Sequence, residues 1–251
     1  MQPADFFRAA ARQPERFAIL HYSSEGLYDS GGLASASPRI TSIAAMELES
    51  RRITSFAPHA IAEELAVTDE NSCPRMDDIE RVMIDRLHAS LALHRDRYVI
   101  HWNMRDLVFG FGHLQHRDLV LGGAGLALVP EEQRIDLHAI LKQRYGPSFA
   151  PVPRLPGLMQ LNGFRRDVVL GGPEEAQAFR CGDYIRMHRS TISKVEFMAH
   201  AISLAGKRRL KTQDAGVVAR LDRMLDSRAA RMTSLTSSCL GVGAIISRFI
   251  F

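Results

Sequence analysis

With 251 residues, 46% of them apolar and 24% charged, the chain can build one large folded domain or one domain with an appendage, and its composition is that of a globular rather than a disordered protein. Three widely spaced cysteines (Cys73, Cys181 and Cys239) form no CxxC pair, which argues against a disulfide framework and a cysteine zinc site. The net charge of +4 is concentrated in 206–232, where eight Lys/Arg face three Asp, so an anionic partner is expected: nucleic acid or a membrane surface.

The N-terminal stretch MQPADFFRAAARQPERF lacks the apolar core of a signal peptide, and a cytoplasmic, reducing location is expected. Phe6, Phe7, Ala10 and Ala11 share a face at helical spacing, so residues 1–15 read as an amphipathic helix or an arm. An apolar strand follows at 17–22, then a loop rich in Ser and Gly, then strands at 39–48 and 52–56. One or two helical turns are expected at 59–65. The pattern of Ile79, Val82, Met83, Leu87 and Leu91 predicts a long helix over 76–95, with Asp77 and Asp78 in its first turn. Residues 97–101, RYVIH, read as a buried fourth strand. The next helix carries Leu107, Phe111 and Leu114, with Gly110 and Gly112 inside it.

A short fifth strand is expected at 126–129 and a helix at 135–145. Four prolines make 147–156 irregular, and 158–169 has no clear period. Helices at 174–179 and 183–204 close the body, the second with Ile185, His188, Ile192, Val195, Met198 and Ile202 on one side. Three consecutive strands followed by alternating helices and strands define an α/β domain with a mixed sheet flanked by helices, spanning 16–205. A helical C-terminal extension over 206–251 combines the basic segment with an apolar tail.

Several chemistries find no support. Residues 23–26 do not form a Gly-x-Ser-x-Gly elbow, and the glycines of 122–125 lack the Lys of a phosphate loop. His113 and His116 lie at helical spacing without an evident third metal ligand. Four other features form a pattern. Gly26 and Leu27 stand in the loop after the first strand, and Arg39, Ile40 and Ile43 open the second. VIHWNMRD sets Asp106 five residues after His101, at a strand-to-helix junction. A late helix carries His188 in MHRSTISK.

Together these features resemble the DEDDh 3′–5′ exonucleases of the ribonuclease H-like superfamily. The resemblance implies a ribonuclease H-like sheet and two divalent ions, Mg²⁺ or Mn²⁺, held by four carboxylates. Aligned on Gly26 and Leu27, its first two carboxylate positions fall on His21 and Ser23, and its last falls on Ser193. Asp106, His101 and His188 keep the matching residue types and are the catalytic candidates. The resemblance thus implies an exonuclease-like domain whose metal site is largely lost and which binds nucleic acid or a protein partner. The alternative is an active metal-dependent 3′–5′ exonuclease with Glu25, Asp29 and Asp106 as a remodelled ligand set.

In the extension, Lys207, Arg208, Arg209 and Lys211 form the densest positive cluster, on an expected helix that Arg220 and Arg223 continue. With no aromatic side chains among them, phosphate contacts there would be indifferent to base sequence. The tail at 235–251 is apolar apart from Ser, Thr and Arg248. After a basic stretch, it also fits a membrane-associated module.

Overall fold

The computed structural model describes residues 1–25, 37–68, 75–93, 95–105, 109–125, 129–164 and 168–213. Five strands, β1 (Phe17–Ser24), β2 (Ile40–Glu47), β3 (Ile53–Phe56), β4 (Tyr98–His101) and β5 (Arg134–Asp136), form one sheet in the order β3-β2-β1-β4-β5. β2 runs antiparallel to both of its neighbours, whereas β4 is parallel to β1 and β5 is parallel to β4. This is the expected α/β class, a mixed sheet with helices on both faces.

Strand alternation sends Phe17, Ile19, His21 and Ser23 to one face, and Leu20 and Tyr22 to the other. The register carries the same division across the sheet, with Ile19 beside Met46 and Ile100, and Tyr22 beside Ile43. On the first face, Ile19, Met46 and Ile100 pack with α1 (Pro3–Arg12), α5 (Leu137–Tyr145), α6 (Arg154–Leu161) and α8 (Tyr184–Gly206). On the second, Leu20, Tyr22 and Ile43 pack with α2 (Pro58–Thr68), α3 (Met76–Ala92) and α4 (Phe111–Val120). The remaining described helix, α7 (Gly172–Arg180), packs on α8 and β1.

Several boundaries differ from the sequence expectation, each for a local reason. The fifth strand is Arg134–Asp136, overlapping the start of the expected helix, while 126–128 lie outside the described residues. Three residues are too few to display a period of two. Asp136 then ends the strand and caps α5 by accepting the His138 and Ala139 amides at 3.0 and 3.3 Å. α6 begins at Arg154 within the proline-rich stretch. Its Pro156 sits in the first turn, where a missing amide removes no intrahelical bond. Gly110 is the N-cap of α4 rather than an interior residue, and Leu107 lies outside the described residues.

Helix α1 is part of the core. Phe6 is fully buried, its ring edge-on to Phe7 and Phe17 at 5.1 and 6.0 Å, whereas Ala11 is exposed. α8 buries more than the expected stripe, because β1, β2, α1 and α7 surround it. Met187, Phe197 and Ala201 join Val195 and Met198 in the core, while Ile185 is 58% exposed.

The described part of the basic segment is not helical. α8 ends at Gly206, and the following residues dock on the loop before α6 and on its C-terminal end. The Lys211 amide donates to Asn162 Oδ1 at 2.9 Å, and the Gln213 amide to the Phe149 carbonyl at 2.8 Å. Arg220, Arg223 and the apolar tail lie outside the described residues. Among the described residues no helix is long and apolar enough to cross a membrane.

Candidate active site

Polar side chains gather between α8 and the face of the sheet that carries His21 and Ser23. Ser23 Oγ lies 2.8 Å from Thr191 Oγ1, tying the end of β1 to α8. His188, one turn earlier, places Nδ1 at 2.7 Å from Ser42 Oγ on β2 and Nε2 at 3.1 Å from Ser55 Oγ on β3. Three residues beyond Thr191, Lys194 Nζ contacts Glu175 of α7 at 2.7 Å. The Ser190 hydroxyl donates to the same carboxylate at 2.8 Å and accepts the Leu170 amide at 2.9 Å. His188, Thr191 and Lys194 recur at a spacing of three, so one stripe of α8 supplies a side chain to each of these contacts with β1, β2, β3 and α7.

Burial sets the protonation of this layer. It lowers the pKa of His188 from 6.5 to about 4, helped by the His59 ring at 6.2 Å. It holds His21 well below its ordinary value, with the Lys194 ammonium acting in the same direction. Both imidazoles are therefore neutral at pH 7. Lys194 and Glu175 are charged groups with side chains only 7% and 6% exposed, and their mutual contact offsets the loss of water.

A second ionic group lies where β1 ends and β2 begins. Arg39 donates to Asp77 of α3 from Nε and one terminal nitrogen, at 3.0 and 2.8 Å, and stands 3.9 Å from Glu25. The hydrogen bond from Arg39 holds the Asp77 carboxyl below its ordinary pKa. Deeper, Glu80 Oε1 accepts the Ile40 amide and Arg117 Nε, both at 2.8 Å, and Oε2 makes a further contact with Arg117. Arg117 also donates to the Ser37 carbonyl at 3.2 Å. The 37–40 flank of the 26–36 segment is thus pinned to α3 and α4, and Glu25 on the preceding flank reaches Arg39.

The structure separates residues that the sequence grouped. His188 lies on the α8 face. His101 lies on the opposite face, because it follows Ile100, which points toward α8, by one residue. There His101 Nδ1 accepts the Met104 amide at 3.1 Å and the ring meets Phe111 edge-on at 5.2 Å. Burial lowers its pKa to about 4, with Asp136 opposing the shift. His101 thus works as a turn-closing acceptor in the structure and does not join His188 in one cleft.

Glu25 is engaged by Arg39, and Asp29 and Asp106 lie outside the described residues. Among the described residues no group of three or more His, Cys, Asp or Glu is placed to hold a metal ion. The described donors do not fit a two-metal carboxylate site: Ser23, where the resemblance expects an acidic ligand, is bonded to the Thr191 hydroxyl, and the positions matching two other ligands are His21 and Ser193.

Sequence reasoning missed Thr191, Lys194, Glu175 and the Glu80–Arg117 pair. The signal for the first two was polar residues at helical spacing inside an otherwise apolar helix. The others become visible only when separate elements meet. Asp136 stands out in the sequence only as an acid near the motifs; in the structure, besides capping α5, it accepts the Asn103 amide at 3.1 Å and pairs with Arg105 at 2.5 Å. Asp136→Ala should therefore lower stability by about 1–2 kcal/mol in urea unfolding. Asp136→Asn, which keeps a capping oxygen, should recover most of that loss; equal losses in both variants would refute the capping role.

No family model matches the sequence, and no curated protein matches it. Among solved structures, the chain is similar to a family B DNA polymerase from the hyperthermophilic archaeon Pyrobaculum calidifontis. That match has 14% identity and a TM-score of 0.45, and covers 81% of this chain and 27% of the polymerase. It is also similar to exonuclease I, with 13% identity and a TM-score of 0.38, over 77% of this chain and 44% of the other. The chain therefore spans less than half the length of either protein.

Proposed function

We propose that this chain is an exonuclease-like domain that binds nucleic acid without cleaving it. The observation that carries this reading is the contact between Ser23 and Thr191. In the fold that the sequence resembles, the end of the first strand and the facing late helix contribute carboxylates. Here those surfaces contribute two hydroxyls bonded to each other at 2.8 Å, with a lysine ammonium three residues along the same helix. Hydroxyls without a negative charge are poor ligands for Mg²⁺ or Mn²⁺, and Glu175, the carboxylate beside them, is already engaged by Lys194 and Ser190.

Binding is assigned to Lys207, Arg208, Arg209 and Lys211, all exposed just beyond α8. Their irregular backbone, with Arg208 at φ 55°, spreads the charges rather than aligning them on a helix face. Such contacts release counterions and weaken steeply with added salt.

Labelled single-stranded DNA and RNA incubated with Mg²⁺ or Mn²⁺ should stay full length, while anisotropy reports binding that falls as salt rises. Replacing the four basic residues with Ala should weaken binding at least about tenfold at low salt. Trimming from the 3′ end that disappears in Asp106→Ala would overturn the non-cleaving reading. Unchanged affinity in the quadruple variant would overturn the binding assignment.

A further inference from the structure

At the end of the sheet remote from Ser23 and Thr191 lies a groove of about 410 Å³ between α1, the turn after β2 and the end of α8. The Leu48 amide donates to the Phe17 carbonyl at 3.0 Å, which places this turn beside the start of β1. The groove is lined by Phe7, Ala10, Leu48 and Ile202, each at most 5% exposed and all apolar. Its polar margin consists of Arg51, Lys207, Glu49 and Ser203. This volume falls within the range of small-molecule sites, roughly 300–1,000 Å³.

Arg51 is the distinctive group. Its backbone is left-handed, with φ 60°, a conformation that side chains other than Gly and Asn seldom adopt. Its side chain has neither a hydrogen bond nor an ion pair among the described residues, and loss of water pulls its pKa below the ordinary arginine value. Arg51 is exposed at the rim of the groove, and a guanidinium there with no acceptor among the described residues is available to an anion from solution. Lys207 stands on the same margin, and with Glu49 the margin carries a net charge of +1, matching a monoanion.

The lining decides what the rest of that anion must be. A nucleobase laid on Phe7, Leu48 and Ile202 would lose water from its edges, and only Ser203 and Glu49 would be near enough to compensate. A hydrocarbon chain loses nothing there. We propose that the groove binds a small organic monoanion with an apolar body, of the class of medium-chain carboxylates. Its charge would sit on Arg51 and Lys207 and its chain along Phe7, Leu48 and Ile202. The groove lies at the other end of the sheet from Ser23 and Thr191, and it shares Lys207 with the basic cluster assigned to nucleic acid, whereas Arg51 belongs to the groove alone.

Calorimetric titration of the full chain with decanoate, below its micelle concentration, should give one saturable site. Hexanoate, four methylenes shorter, should bind at least about tenfold more weakly, since each buried methylene contributes about fourfold. Decanol, with the same chain and no charge, should also bind at least about tenfold more weakly. Arg51→Gly suits the left-handed backbone, so it should fold with an unchanged or raised melting temperature and still lose at least about tenfold in decanoate affinity. Lys207→Gln should lose less. Decanoate binding that is absent, or unaffected by Arg51→Gly, would overturn the proposal, as would decanol binding as well as decanoate. Adenosine 5′-monophosphate binding more tightly than decanoate would overturn the ligand class.

Discussion

Glu80→Ala should lower the free energy of unfolding by about 3–5 kcal/mol, the usual cost of stranding one member of a buried ion pair. Glu80 is 1% exposed and Arg117 is 6% exposed, and the carboxylate satisfies two separate partners. Its loss leaves the Arg117 guanidinium with only Ser37 among its described acceptors, and leaves the Ile40 amide unpaired where β2 begins. Domains of this kind are stable by about 5–15 kcal/mol, so the variant should lose about a fifth or more of that margin. Glu80→Gln, which can still accept the Ile40 amide, should be milder.

The informative comparison is the double variant Glu80→Met, Arg117→Met. Replacing both charges with apolar groups of similar length removes the stranded charge, so the double should be more stable than either single substitution. Urea unfolding of the four proteins decides it. Additive losses in the double variant, or a loss under about 1 kcal/mol in Glu80→Ala, would show that the pair is not the tie between β2 and the α3–α4 layer.

The second large effect concerns acid. His101 and His113 are 2% and 1% exposed, and burial lowers both pKa values from 6.5 to about 4. The folded state therefore holds these rings neutral, while the unfolded chain protonates them near pH 6.5. Their stabilising effect is complete above about pH 6.5 and is lost as pH falls toward 4, because the unfolded state takes up protons first. A shift of this size is worth about 3 kcal/mol for each ring. Facing charges modify the balance: Asp136 favours protonation of His101, Arg105 and Arg134 oppose it, and Arg117 and His116 oppose that of His113. His188 and His21 add in the same direction.

Carboxylates act in a lower window. Asp77 is held below its ordinary pKa, so its contribution fades only as pH drops below about 4. Urea midpoints should thus be level above pH 7 and fall between pH 6.5 and 4. His113→Gln should flatten part of that decline while leaving the acid limb below pH 4 in place. A midpoint that stays constant from pH 7 to 5 would refute the buried-histidine account.

The chain's own order of residues determined the class of fold. Apolar runs at β1 and β4 and the long periods of α3 and α8 are local signals, and their succession implies a mixed sheet covered by helices. It also marked Phe6 and Phe7 as one helical face, and His188 as a residue of the last helix before the basic segment. Tertiary structure decided what those residues do. The face to which His101 points depends on strand register, which places it one step past Ile100 and away from His188. Ser23, Ser42 and Ser55 acquire meaning only when three strands align their hydroxyls beneath Thr191 and His188. The pairs Glu80–Arg117 and Lys194–Glu175 join residues 37 and 19 positions apart on different elements. Spacing along one helix or strand predicts which residues share a face, because each element has a fixed period. It carries no information about which face of another element arrives opposite, since that is set by how the whole core closes.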